Sequence, residues 1–335
     1  MGTMQPIDIA ASHRTHIGCS KIAQALGISR WGTPYDLWLH YTGRQPLPDI
    51  SHDLRVALGE PMEQVLKPFV EQRLGGELRR DRKEYKHPTL PLIAHVDFRL
   101  AASAQAAIST LGGMPKVRPV VDIKTSLGHG AKHRFGQDGT DELDNDVILQ
   151  VHGYNLMTGA EVAYVAALVP GPEIKIFTVR ADAEMADLIE DGLADFWRCV
   201  TTDTPPAARN EADARSMWAK HAEGKILEAD QHLYLDLRAY AALKAQMRAL
   251  EKDEQTLKDI ILPRLTDAEA IWYDGKSQAT FKANKDRDTV DWQGIARGFM
   301  EGWSPAEEAR HIAAYTTTKP GPRVLQMAKD IERLS

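Results

Sequence analysis

The stretch that most constrains this chain is EVAYVAALV, residues 161–169. After Glu161 no polar side chain interrupts it apart from the Tyr164 hydroxyl. A strand that lacks alternation between polar and apolar residues is a buried one, so this segment reads as the central strand of a sheet. Pro170, Gly171 and Pro172 then turn the chain, and EIKIFTVR (173–180) follows as an antiparallel partner. Whatever else the chain builds has to cover that strand.

Two more segments read as strands. Side chains on a strand repeat every second residue. Over 92–100, Leu92, Ala94, Val96, Phe98 and Leu100 share one face, and Asp97 lies on the other beside His95 and Arg99. Over 120–125, Val120, Asp122 and Lys124 oppose Val121, Ile123 and Thr125. With the two strands as neighbours, Asp97, Asp122 and Lys124 converge on one point. Two carboxylates attract a hard divalent cation such as Mg²⁺. A lysine beside them can orient a water or help deprotonate it. That is the minimal equipment for hydrolysing a phosphodiester. By itself, Asp-Ile-Lys is more often an exposed, salt-bridged strand face, so its meaning depends on its neighbours.

Helical spacing supplies those neighbours. A short helix follows Ser20 as its N-cap, carries Ile22, Ala23 and Leu26 at helical spacing, and ends at Gly27. Thr33 and Pro34 open a second helix that carries Leu37, Trp38 and Tyr41 and closes at Gly43. A capped helix start beside an arginine, here Ser20 and Arg14, can hold a phosphate; alone it is ordinarily just a capped helix. Residues 58–74 form a third helix with Leu58, Met62, Val65, Leu66 and Phe69 as its apolar stripe and Glu63 on the edge. An acid turned partly inward is costly unless it is paired or bound to a metal. Residues 101–117 read as a loop, and 127–146 as a long glycine-containing loop. Residues 147–158 return to helical spacing, with Gln150 and Tyr154 four apart on one face. Residues 182–199 are an amphipathic helix.

Composition changes at 201–215, TTDTPPAARNEADAR, which reads as a linker. Beyond it, 229–262 is a long helix with Leu233, Leu237, Tyr240, Leu243, Met247 and Leu250 at three- and four-residue steps. Such a seam wants a partner helix. A hairpin around Asp274-Gly275 follows.

A hydrophobic content of 43% and a charged content of 26% are those of a soluble globular chain. No apolar run is long enough for a membrane span, and the N-terminus lacks a signal-peptide pattern. Cys19 and Cys199, the only cysteines, offer no zinc or disulfide spacing. The expected setting is a reducing cytoplasm, without a membrane partner. The net charge of −6 does not advertise nucleic-acid binding, yet 116–134 carries Lys116, Arg118, Lys124, Lys132 and Arg134 against Asp122 alone. A basic patch of this kind can bind phosphate in an acidic protein.

Taken in order, these pieces resemble a known family over residues 14–200: the YqaJ-type viral recombinases, phage-lambda-type exonucleases of the PD-(D/E)XK nuclease superfamily. IGCSKIAQALGISRWGTPYDLW, with Arg14 before it, is similar to the family's opening motif, R…IGGSD.A..LG.S.W.TP..LW. GEPMEQVL is similar to its glutamate-bearing helix, AHVDFRL and VVDIKTS to its two acidic strands, and QVHGYNLMTG to its QVQ.Y…TG motif. There are departures. Lys21 stands where the family usually has an acid, and valine rather than proline precedes Asp97. Asp122 replaces the more usual glutamate and shortens that side chain by one methylene.

The resemblance implies an α/β fold: a restriction-endonuclease-like core over 1–200, with a central mixed β-sheet of four or five strands flanked by helices. The linker 201–215 and a mainly helical extension with a β-hairpin, 216–335, follow. It implies an Mg²⁺-dependent exonuclease, with Mn²⁺ as a possible substitute, that digests one strand of duplex DNA from its 5′ end. Asp97, Asp122 and the Ile123 carbonyl would bind one metal, and Glu63 would help with a second. Lys124 would position the attacking water, Gln150 would hold that water or the lysine, and Tyr154 would line the site. Arg14 and Ser20 would contact a terminal DNA phosphate. The implied partners are double-stranded DNA ends, a single-strand annealing protein of the same recombination system, and further copies of the chain in a homo-oligomer. An endonuclease of the same superfamily and a non-catalytic DNA-end-binding module are the competing readings.

Overall fold

A computed structural model of the chain describes residues 15–46, 52–126, 128, 130, 133–283, 291–300 and 302–316. Arg14 and Lys132 lie outside the described residues. The chain divides into two compact units, Met1–Met217 and Trp218–Ser335. In chain order the strands are β1 (Ile17–Gly18), β2 (Leu78–Arg80), β3 (Glu84–Lys86), β4 (Leu92–His95), β5 (Phe98–Leu100), β6 (Val120–Thr125), β7 (Val162–Val169), β8 (Glu173–Arg180), β9 (Ala270–Tyr273) and β10 (Lys276–Thr280).

The first unit is built on a five-stranded sheet in the order β2-β5-β6-β7-β8. β6 and β7 run parallel, and the other neighbours run antiparallel. The expected mixed sheet is present, and the reason lies in β7, where every residue is buried. Val162, Tyr164, Ala166 and Leu168 enter one core, while Ala163, Val165, Ala167 and Val169 enter another. One strand therefore demands a covering layer on each face. Leu66, Val70 and Leu74 of the Gly59–Leu74 helix pack into the first core. The Asn145–Thr158 and Ala183–Thr201 helices pack into the second, with Val147, Leu149, Val151, Ile189 and Leu193.

The segment 92–100 is not one strand. β4 pairs with β1 and β3 in a separate three-stranded sheet, and β5 pairs with β2 and β6. The chain breaks between His95 and Phe98, and Asp97 sits in the break. The apolar alternation runs unbroken through the numbers but changes core: Leu92, Ala94 and Val96 join the second core, and Phe98 and Leu100 the first.

Other expectations need correction. The stripe of the Gly59–Leu74 helix lies one residue round from the expected row: Leu66, Val70 and Leu74 are buried, whereas Val65 and Phe69 are 57% and 55% exposed and Leu58 is also exposed. The sequence carries two adjacent apolar rows, and the sheet selects the one spaced by four. Residues 101–117 contain a helix, Gln105–Leu111, that lays Ala107 in the first core. Ser20 is not a cap. β1 holds the chain against β4 through Gly18, so the 3₁₀ turn begins at Cys19 and takes Ser20 inside it, exposed. Gly18 is the N-cap of that turn and Lys21 that of the Ile22–Ala25 helix, neither with a side-chain capping bond. Nor is 201–215 a free linker. The Glu211–Met217 helix buries Asp213, which accepts hydrogen bonds from the Thr33 hydroxyl at 2.9 Å and the Arg209 N–H at 2.9 Å.

In the second unit the long helix runs Gln231–Leu265, and Asp230 caps it by accepting from the Leu233 N–H at 2.8 Å. β9 and β10 form an antiparallel hairpin turned through Asp274 and Gly275, both at positive φ (49° and 70°). Helices Trp292–Phe299 and Pro305–Tyr315 follow.

Candidate active site

The site forms where β5 and β6 part. Their pairing runs through Phe98↔Val121 and Arg99↔Val120, so β5 does not reach Asp122. β7 continues beside β6 as far as Thr125. From Asp122 onward β6 thus has one edge that β5 leaves open, and Asp97 stands beside it. The Ile123 backbone hydrogen-bonds the Asp97 carboxylate. A strand residue presents its N–H and C=O to the same edge, so the Ile123 carbonyl faces the Asp97 side as well.

Asp122 is 1% exposed. The Lys124 ammonium donates to Asp122 Oδ1 at 3.1 Å and lies 2.9 Å from Oδ2. Oδ2 feels that charge but has no hydrogen bond of its own. Burial pushes the Asp97 carboxyl up to about 8; the charge of Asp122 and, more weakly, of Glu63 add to this, while Lys124 opposes it. Burial works against the Lys124 ammonium, but Asp122 and then Asp97 outweigh it and hold its pKa above the ordinary lysine value. Lys124 is therefore a cation here.

Glu63 reaches the cluster from the Gly59–Leu74 helix. Burial raises its pKa, Arg80 lowers it, and the charges of Asp122 and Glu60 raise it further. Arg80, on β2, donates to Glu63 Oε2 at 2.7 Å and to Glu60 Oε1 at 3.1 Å. Sequence spacing gives no hint of Arg80. It sits 17 residues from Glu63 and meets it only because β2 pairs with β5 at the Arg80↔Phe98 register.

From the opposite layer, the Asn145–Thr158 helix supplies Gln150 and Tyr154. Gln150 Nε2 donates to the Tyr154 hydroxyl at 2.6 Å. Burial, then Asp122 and Asp97, hold the Tyr154 phenol far above its usual range, so it stays protonated. Asp144 caps the helix by accepting from the Val147 N–H at 3.0 Å. Gly153 lets it approach closely, because a Cβ there would lie 2.5 Å from Ile22 Cδ1 and 3.0 Å from Cys19 Sγ.

The structure thus brings Glu63, Asp97, Asp122, Ile123, Lys124, Gln150 and Tyr154 to one place, and leaves Ser20 exposed in its turn. A divalent cation suits this chemistry in two respects. Crowded carboxylates raise one another's pKa, and Asp122 Oδ2 is a buried acceptor with a lone pair to spare. Among the described residues, no three His, Cys, Asp or Glu side chains already stand as a ligand set. Glu63 is turned to Arg80, and Asp122 to Lys124.

A mixed sheet covered by helices on both faces, with acids and a lysine gathered at an open strand edge, defines the class: an α/β protein with an acid–lysine site at the sheet edge. Residues 10–161, which contain every site residue named above, match the model of the YqaJ-like viral recombinase domain family. The chain is 27% identical over 281 residues to the uncharacterized protein YqaJ of Bacillus subtilis (strain 168), covering 80% of this chain and 81% of that protein. Among solved structures, it is similar to an alkaline exonuclease from Laribacter hongkongensis (TM-score 0.42, 11% identity, 58% of this chain and 92% of that one). It is also similar to a phage related exonuclease from Haemophilus somnus 129PT (TM-score 0.40, 10% identity, 58% and 99%). Among the described residues no helix is long and apolar enough to cross a membrane.

Proposed function

We propose that the protein is a divalent-metal-dependent nuclease that degrades one strand of linear duplex DNA from its 5′ end. The 3′ single-stranded tail would be left for an annealing protein in phage-type recombination. One observation carries the reading: Asp97 and Asp122, with Glu63 close enough for its charge to act on both, are gathered around one lysine at an open strand edge. The recombinase-domain match and the order of the motifs support it.

Asp97, Asp122 and the Ile123 carbonyl would hold Mg²⁺ or Mn²⁺, with Glu63 joining once it leaves Arg80. A bound divalent cation supplies charge for the scissile phosphate and acidifies water. The chain's own residues do the rest. Lys124, held as a cation, orients the attacking water and faces the charge that builds on the phosphate. Gln150 fixes its neighbour Tyr154 through the 2.6 Å bond and can present its own carbonyl to the water. Tyr154 closes the wall of the site.

The test compares end-labelled linear duplex with closed circular duplex, each with Mg²⁺ or with a chelator. Nucleotides should be released from the linear duplex alone, and only with the metal. Equal cleavage of the circle would make the protein an endonuclease. Tight binding of ends without cleavage would make it an end-binding module.

A further inference from the structure

We propose that Trp31, beside the guanidinium groups of Arg30 and Arg134, is a stacking platform for a base of the DNA substrate near the acid–lysine site. This inference rests on the nuclease reading. Two tryptophans lie in the opening motif, and they behave differently. Trp38 is buried and donates its indole N–H to the Cys199 carbonyl at 3.0 Å, which gives it a structural role. Trp31 is 65% exposed.

Its turn is nonetheless firmly built. Ser29 Oγ donates to Asp146, the Trp31 N–H donates to Ser29 Oγ at 3.0 Å, and the Arg30 N–H donates to Asp146 Oδ2 at 3.3 Å. The two arginines beside it are also fixed. Arg134 Nε donates to Asp144 Oδ2 at 2.7 Å, and Arg30 lies 3.5 Å from the same oxygen. Both guanidinium carbons stand 6.0 Å from the centre of the Trp31 ring. An exposed indole on a fixed turn, with two cations gathered beside it on one carboxylate, is costly to order and adds nothing to the core. A nucleotide answers both features at once, with a flat π-face for the indole and a phosphate for the guanidinium.

Its place in the fold fits a substrate contact. Asp144, the anchor of both arginines, caps the helix that carries Gln150 and Tyr154. The six residues from Asp144 to Gln150 span about 9 Å of helix, the length of two or three nucleotides. Arg134 is near enough for its charge to act on Lys124. A base stacked on Trp31 would hold the strand a few nucleotides from the scissile phosphate. Every base has a π-face, so such a platform grips without reading sequence, as degradation from any end requires.

The experiment is done in chelator, so that binding is read without cleavage. Linear duplexes carry 2-aminopurine at successive positions from the end and are titrated with wild-type protein, Trp31→Ala and Trp31→Phe. For the wild type, one position near the end should change in fluorescence on binding. Trp31→Ala should lose that change and bind roughly 10-fold more weakly, and Trp31→Phe should keep part of both. In a parallel assay with Mg²⁺, the KM of Trp31→Ala should rise by more than its kcat falls. Because Trp31 is exposed, its thermal midpoint should match that of the wild type. A Trp31→Ala protein with wild-type affinity and an unchanged 2-aminopurine signal overturns the platform and leaves the nuclease reading standing. A wild-type protein that neither binds nor cleaves DNA overturns both.

Discussion

Asp97 carries the strain of the site. Desolvation and the neighbouring acids lift its pKa to about 8, against about 4 in an unfolded chain. Between those values the folded state holds a proton that the unfolded state has released. The stability of the metal-free protein therefore falls as pH rises from about 4 to about 8. Asp97→Asn removes the titrating group. The variant should gain on the wild type across this window, by at least about 1 kcal/mol at pH 8, while losing nuclease activity. Thermal midpoints measured at intervals of pH decide it; parallel curves for the two proteins would show that Asp97 is not strained. The opposite case is Lys124. Removing it would leave Asp122 buried without its cation, so Lys124→Ala should lose stability as well as activity.

At the scale of elements, the helix carrying Gln150 and Tyr154 is positioned by the bare backbone of Gly153. Gly153→Ala would press a methyl group against Ile22 and Cys19 and should cost about 1–3 kcal/mol in denaturant unfolding. An unchanged midpoint would mean that this contact yields freely. Much of this layer was legible in the sequence: the buried strand β7, the capping Thr33-Pro34, the Gln150–Tyr154 pair, and the shared face of Asp122 and Lys124. What was not legible depended on partners distant in the chain. Alternation at 92–100 reads as one strand because the numbers never skip; only the pairing of β4 and β5 in different sheets reveals the break that frees Asp97. Arg80 has no local signal, since a β2 residue meets Glu63 only through sheet register. The apolar rows of the Gly59–Leu74 helix are near equivalent in sequence, and the sheet decides between them. The Pro- and Ala-rich stretch after Thr201 reads as a linker by composition, but the buried Asp213 carboxylate ties it to Thr33.

At the scale of the molecule, the first unit ends at Met217 and contains every site residue from Glu63 to Tyr154. A protein ending at Met217 keeps the Asp213–Thr33 bond and should fold and cleave. One ending at Asp203 lacks that bond and should be less stable by about 1–3 kcal/mol. In the second unit the long helix leaves Leu243, Met247, Leu250 and Leu257 more than half exposed. A seam of that length invites a partner. We therefore expect the Met217 truncation to lose oligomerisation or processivity before activity. Light scattering after size exclusion, run beside the nuclease assay, reads both; unchanged mass order and processivity would remove the second unit from assembly.

Hydrolysis should depend on a cation held by Asp97, Asp122 and Glu63. Calorimetric titration of Mg²⁺ into the wild type and into Asp122→Asn tests it most directly. The wild type should bind at least one ion per chain, and Asp122→Asn, which keeps the shape but loses the buried charge, should weaken that binding at least about 10-fold, as loss of a charged ligand requires. A wild-type protein that degrades DNA without taking up the ion, or an Asp122→Asn protein that binds it as well as the wild type, would contradict the account.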